Sequence, residues 1–89
     1  MMIDRLYDVD GTVHVRIIKS DGGYHRTTIA PGVDPDLQMA LVNAHLQSMG
    51  VDQVIPEDIG RVRARCAEVH TPERIAAFVA AQREREQRP

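Results

Sequence analysis

One cysteine, three aromatic rings, no tryptophan and no long apolar run are the absences that shape this chain. The lone Cys66 cannot close an intrachain disulfide, which excludes the small secreted scaffolds that replace a core with bridges and favours a reducing compartment. Tyr7, Tyr24 and Phe78 are the only aromatics, so the core has to be assembled from aliphatic side chains. Nowhere do the ~18 apolar residues of a membrane span stand together. Met1-Met2-Ile3-Asp4-Arg5 lacks a basic stretch followed by an apolar run, so no signal peptide is expected. An excess of one sign of charge is missing too, since a formal net charge of −2 is too small to draw nucleic acid or an anionic membrane from a distance. The expectation is a soluble cytoplasmic protein.

What is present suits one domain. A chain of 89 residues can enclose a single apolar core, and a hydrophobic share of 43% is too high for a disordered one. Residues 1–82 are expected to form that domain, and the charged stretch 83–89 a frayed tail.

The first thirty residues alternate with period two, Val13, Val15 and Ile17 being separated by His14 and Arg16, and turn residues stand at Asp10-Gly11 and Asp21-Gly22-Gly23. This predicts three antiparallel strands. A loop of Asp21, Gly22 and Gly23 sets Val15 opposite Ile29 and Ile17 opposite Thr27. A loop of Val9, Asp10 and Gly11 sets Ile3 opposite Ile17, Tyr7 opposite Val13 and Asp4 opposite Arg16. The expected core face is Ile3, Tyr7, Val13, Val15, Ile17 and Ile29.

Asp34-Pro35 has the cap and first-turn chemistry of a helix running to Met49, with Gly50 placed to stop it. At about 100° per residue, Leu37, Ala40, Leu41 and Ala44 form one apolar stripe, and Met39, Val42, Leu46 and Met49 another on nearly the opposite side. Such a helix needs two partners. Pro56-Glu57-Asp58 opens a second helix with the stripe Ile59, Val62, Cys66 and Val69, and Thr71-Pro72-Glu73 opens a third whose core face is Ile75, Phe78 and Val79. The fold class is therefore α+β, a three-stranded antiparallel N-terminal sheet packed against two to three C-terminal helices.

Candidate chemistry is sparse. Asp8-Val9-Asp10-Gly11-Thr12 resembles the nucleophile motif of haloacid-dehalogenase-like phosphatases, in which the first Asp attacks phosphate and the second serves as acid and base. That motif follows a buried parallel strand in a longer α/β domain, whereas here the next segment alternates like a hairpin partner, so an Asp-Gly turn is the simpler reading. His14, His25, His45, His70 and Cys66 match no ligand spacing, and no metal site or cofactor is assigned. Cys66 lies in line with Ile59, Val62 and Val69 and reads as a packing residue, with its thiol inert. Arg61 and Arg65 share one side of the second helix, and with Arg74 they offer an alternative nucleic-acid contact, against which the negative total charge argues.

Two stretches carry a resemblance: His25-Arg26-Thr27-Thr28-Ile29-Ala30-Pro31-Gly32 and Thr71-Pro72-Glu73-Arg74-Ile75-Ala76-Ala77-Phe78. Together they resemble small uncharacterised proteins encoded in phage and prophage tail-gene regions, where a short hairpin ending in an Ala-Pro-Gly-like turn precedes helices. The resemblance implies a phage-derived accessory or structural protein, in the host cytoplasm or associated with the virion, with no catalytic residues to carry over.

The leading expectation is a non-enzymatic interaction protein that meets a protein partner or a second copy of itself through Met39, Val42, Leu46 and Met49. A small regulatory nucleic-acid binder is the alternative, and a phosphatase using Asp8 and Asp10 the third choice.

Overall fold

The computed structural model describes residues 2–87. The chain runs β1 (Met2–Val9), β2 (Thr12–Ile18), β3 (Tyr24–Ile29), α1 (Pro35–Ser48), α2 (Pro56–Val69) and α3 (Pro72–Glu86). The strands form one antiparallel sheet in the order β1-β2-β3, and the expected α+β architecture is what the chain adopts.

Both hairpins depart from expectation in register. β1 and β2 are joined by a two-residue turn, Asp10-Gly11, because Val9 pairs with Thr12. Asp10 and Gly11 both have positive φ, at 52° and 83°, as a type I′ turn requires at its two central positions. The third loop residue of the expected turn is instead an extra residue in β1. Ile3 pairs with Ile17 as expected, but the register then shifts at a β-bulge between Ile3 and Arg5. Beyond the bulge Leu6 faces Val15 and Tyr7 faces His14, so Leu6, not Tyr7, turns toward the core. Tyr7 is left 45% exposed.

In the second hairpin the three-residue loop is Ser20-Asp21-Gly22, one residue earlier than expected. The Lys19 N–H donates to the Gly23 carbonyl at 2.8 Å, and the Gly22 N–H donates to the Lys19 carbonyl at 3.0 Å. Gly22 takes the left-handed position, at φ 88°, which closes such a loop. Val13 then faces Ile29, Val15 faces Thr27 and Ile17 faces His25. The displacement is two residues, so every side chain keeps its expected face.

The buried face of the sheet, Ile3, Val13, Val15, Ile17 and Ile29, meets Met39, Val42 and Leu46 of α1 and Val62, Cys66 and Val69 of α2, with Val54 of the connecting segment between them. Asp34 caps α1 by accepting from the Asp36 N–H at 2.9 Å. At its other end the Val51 N–H donates to the Leu46 carbonyl and the Gly50 N–H to the Gln47 carbonyl. This is a Schellman closure, with Gly50 at φ 74°. Asn43 Oδ1 accepts from the Val54 N–H at 2.9 Å and pins the crossing to α2.

Asp58, in the first turn of α2, is the single buried charged residue among those described. Its Oδ2 accepts from the Ile3 N–H at 3.4 Å, and its Oδ1 meets Arg61 Nη1 at 3.2 Å. The carboxylate therefore occupies a backbone donor that the outer edge of β1 would otherwise leave unpaired. Asp58→Ala is expected to lower the unfolding free energy by about 1–3 kcal/mol, because a desolvated N–H is left without a partner. Asp58→Asn, which keeps an acceptor oxygen, should lose less. Urea titration of the two variants beside the parent checks the order.

α3 differs most from expectation. None of its residues is buried; Ile75 and Phe78 are half-buried, and Val79, expected in the core, is 40% exposed. The helix also continues to Glu86, so 83–86 are helical where a frayed tail was expected. Arg88 and Pro89 of that expected tail lie outside the described residues. Thr71 caps α3 by accepting from the Arg74 N–H at 3.3 Å. His70, just before it, donates from Nε2 to the Gly11 carbonyl at 2.8 Å, tying the end of α2 to the first hairpin turn.

Candidate functional site

The two stripes of α1 are exchanged relative to expectation. Met39, Val42 and Leu46 seal the sheet, at 0%, 5% and 0% exposure, and of the four expected contact residues only Met49, at the C-cap, reaches the surface. The reason is volume. Longer side chains fill the gap between helix and sheet, whereas a stripe containing Ala40 and Ala44 would leave voids there. The outward stripe is therefore Leu37, Ala40, Leu41 and Ala44, with Leu37 59% and Leu41 58% exposed. From Leu37 to Met49 the chain carries no Asp, Glu, Lys or Arg, although 27% of its residues are charged. An exposed face without charge is what distinguishes a contact surface from an ordinary solvated helix. At its start this face is steadied by Asp36, which binds Arg63 of α2 at 2.8–3.2 Å.

The opposite side of the molecule is the outer face of the sheet. The register lays it out in cross-strand rows: Met2, Ile18 and Tyr24; then Arg5, Arg16 and Arg26; then Tyr7, His14 and Thr28. Tyr7 stacks on His14 with ring centroids 5.0 Å apart and planes 5° from parallel. The Arg16 guanidinium lies 4.3 Å from the centre of the Tyr24 ring. The bulge places Asp4 beside this row, where its Oδ1 accepts from Arg16 Nε at 3.0 Å and its Oδ2 from Nη2. That hydrogen bond holds the Asp4 carboxyl below its usual range and raises Arg16. A hollow of about 530 Å³ is lined by Arg5, Tyr7, His14, Arg16, Arg26 and Thr28, among others. Sequence reasoning missed this face because it placed Tyr7 in the core.

Arg61 and Arg65 do converge, in a groove of about 840 Å³ between β1 and α2 that Arg5 and Tyr7 also line. Arg74 is not with them. It borders a separate hollow with Asp8, Asp10, Phe78 and Arg85, because it projects from α3 beside the first hairpin turn. The aspartates of the phosphatase-like motif thus stand on an exposed antiparallel edge strand and its type I′ turn. The buried parallel strand which that motif requires is not the context found.

His14 and His25 fall on opposite faces of the sheet, as expected. His25 meets His45 of α1, with ring centroids 5.4 Å apart, a proximity that spacing in the sequence does not reveal. Burial, and then the neighbouring His45, hold His25 below the usual imidazole range. Among the described residues no group of three or more His, Cys, Asp or Glu side chains comes together as a metal site. Cys66 is buried, and burial pushes its thiol pKa up, away from the reactive thiolate. No helix is long and apolar enough to cross a membrane among the described residues.

No protein family, curated protein or solved structure matches the chain significantly.

Proposed function

We propose that this protein is a non-enzymatic interaction module that self-associates through the outward stripe of α1. The observation that carries this reading is the uncharged face from Leu37 to Ala44, on which two leucines stand more than half exposed. The stripe is self-complementary: in an antiparallel two-fold pairing each leucine meets an alanine of the second copy, so large residues fill the spaces beside small ones. With no charge on it, the stripe suits a partner equally free of charge, and a second copy offers one.

Area decides what else takes part. A stable interface buries about 1,200–2,000 Å² in total, more than one short helix face supplies. α3 buries no residue of its own and presents Ala76, Val79 and Ala80 to solvent, which makes it the element proposed to supply the second surface. Sedimentation equilibrium of the purified chain over a wide concentration range tests the reading. The expected mass is twice the 10.0 kDa of the chain, falling toward one copy on dilution. A strict monomer at millimolar concentration would overturn it.

A further inference from the structure

The outer face of the sheet, remote from the α1 stripe, carries an independent function: we infer that it binds single-stranded nucleic acid. Three arginines, Arg5, Arg16 and Arg26, stand directly opposite one another across the three strands. Like charges in such positions destabilise a sheet, and among the described residues Asp4 is the one carboxylate paired into the row. The row therefore presents an uncompensated positive charge, with Arg5 and Arg26 exposed, and it calls for an anion from outside the chain. Arg61 and Arg65, in the groove beside β1, add little to this charge, because Asp58 and Glu68 pair with them.

Rings flank the arginines on both sides. Tyr24, 53% exposed, lies one row to one side, and the stacked pair of Tyr7 and His14 lies one row to the other. Alternate residues along a strand are about 7 Å apart, so cations sit between two flat surfaces, the arrangement that takes a phosphate between two stacked bases. Ring stacking needs bases whose faces are free, which selects single strands over duplexes. A second copy of this chain is disfavoured here, because two-fold pairing of the sheets would bring arginine rows together. The net charge of −2 does not oppose the inference, since among the described residues Asp4 is the carboxylate that shares this row, Asp8 of β1 stands across from the buried Val13, and the others lie in turns, helices and connecting segments.

Fluorescence anisotropy with labelled eight-nucleotide oligo(dT) and oligo(U), a duplex of equal length and anionic phosphatidylserine vesicles tests the inference at low salt. Binding of either single strand is expected, with the duplex at least about 10-fold weaker; the better of the two single strands then shows whether DNA or RNA is preferred. Arg5→Ala with Arg26→Ala should weaken binding more than about 10-fold and flatten the log–log salt dependence by about 1.4, since each phosphate contact on a single strand contributes about 0.7. Tyr24→Ala should cost roughly 10-fold while Tyr24→Phe keeps affinity, because the ring and not the hydroxyl stacks. Arg63→Ala, on the helical side, removes one positive charge away from this face and should change nothing. All these side chains are exposed, and far-UV circular dichroism checks that each variant folds. No binding of either strand, equal binding of the duplex, equal loss with Arg63→Ala, or binding to vesicles alone would each overturn the inference. Because Leu37 and Leu41 lie on the helical side, a failure of self-association leaves these results unaffected.

Discussion

Leu46→Ala should lower the unfolding free energy by about 2–5 kcal/mol, the cost of removing a buried leucine and leaving its cavity. Leu46 is fully buried on the sheet-facing side of α1, in the cluster that includes Ile17, Met39 and Val62. A domain of this size has a total stability of about 5–15 kcal/mol, and with three aromatic residues the aliphatic cluster has few substitutes, so a single truncation removes a large share. The informative comparison is Leu41→Ala on the same helix, expected to change stability by no more than about 0.5 kcal/mol, as exposed positions do. Both should be measured by urea unfolding on dilute protein, where association no longer contributes to apparent stability. Equal losses, or a greater loss at Leu41, would mean that the two stripes of α1 have been assigned the wrong way round.

Leu37→Glu combined with Leu41→Glu is expected to abolish self-association while leaving the fold intact. Both positions are more than half exposed, so in the single chain the carboxylates remain hydrated and cost little. In a two-fold interface each substitution occurs twice, which brings four carboxylates into one desolvated contact. An unpaired buried charge costs about 3–5 kcal/mol, so even one of them weakens the dissociation constant by at least about 100-fold. Sedimentation should then give the mass of one chain at every concentration, with an unchanged circular dichroism spectrum. A dimer that survives this substitution would place the interface elsewhere on the molecule.

The bulge at Asp4 shows where sequence reading reaches its limit. Pairing Ile3 with Ile17 was legible because both are strongly apolar, and the structure makes that pair. Between this pair and the turn, however, β1 holds one residue more than a regular ladder accommodates, and the surplus fits equally into a three-residue loop or into the strand. Asp10-Gly11 adopts the positive φ values of a type I′ turn, whose twist matches the flanking strands, so the two-residue turn and the bulge prevail, while Asp4 keeps the charge pair with Arg16 that either register provides. That choice moves Tyr7 outward to His14 and Leu6 inward to Val15. It thereby assembles the ring and arginine rows that no period-two count exposes.

α1 teaches the same lesson by a different route. Its two apolar stripes were visible from spacing alone, and so were the Asp34 cap and the Gly50 stop. Which stripe turns inward depends on the volume left between helix and sheet, a quantity that belongs to both elements together. α3 also looked like a core helix from Ile75, Phe78 and Val79, yet amphipathicity states only that a face requires cover and does not say which molecule provides it.

The amino-acid sequence by itself determined the element types and their order: the strand period, the proline-led helix starts and the glycines at turns act within a few residues, where chain geometry decides. Only the tertiary structure decided the register of β1, the inward stripe of α1 and the convergence of Arg5 with Arg16 and Arg26. Each of these depends on contacts between segments distant along the chain, whose energies differ by a few side-chain volumes or a single hydrogen bond.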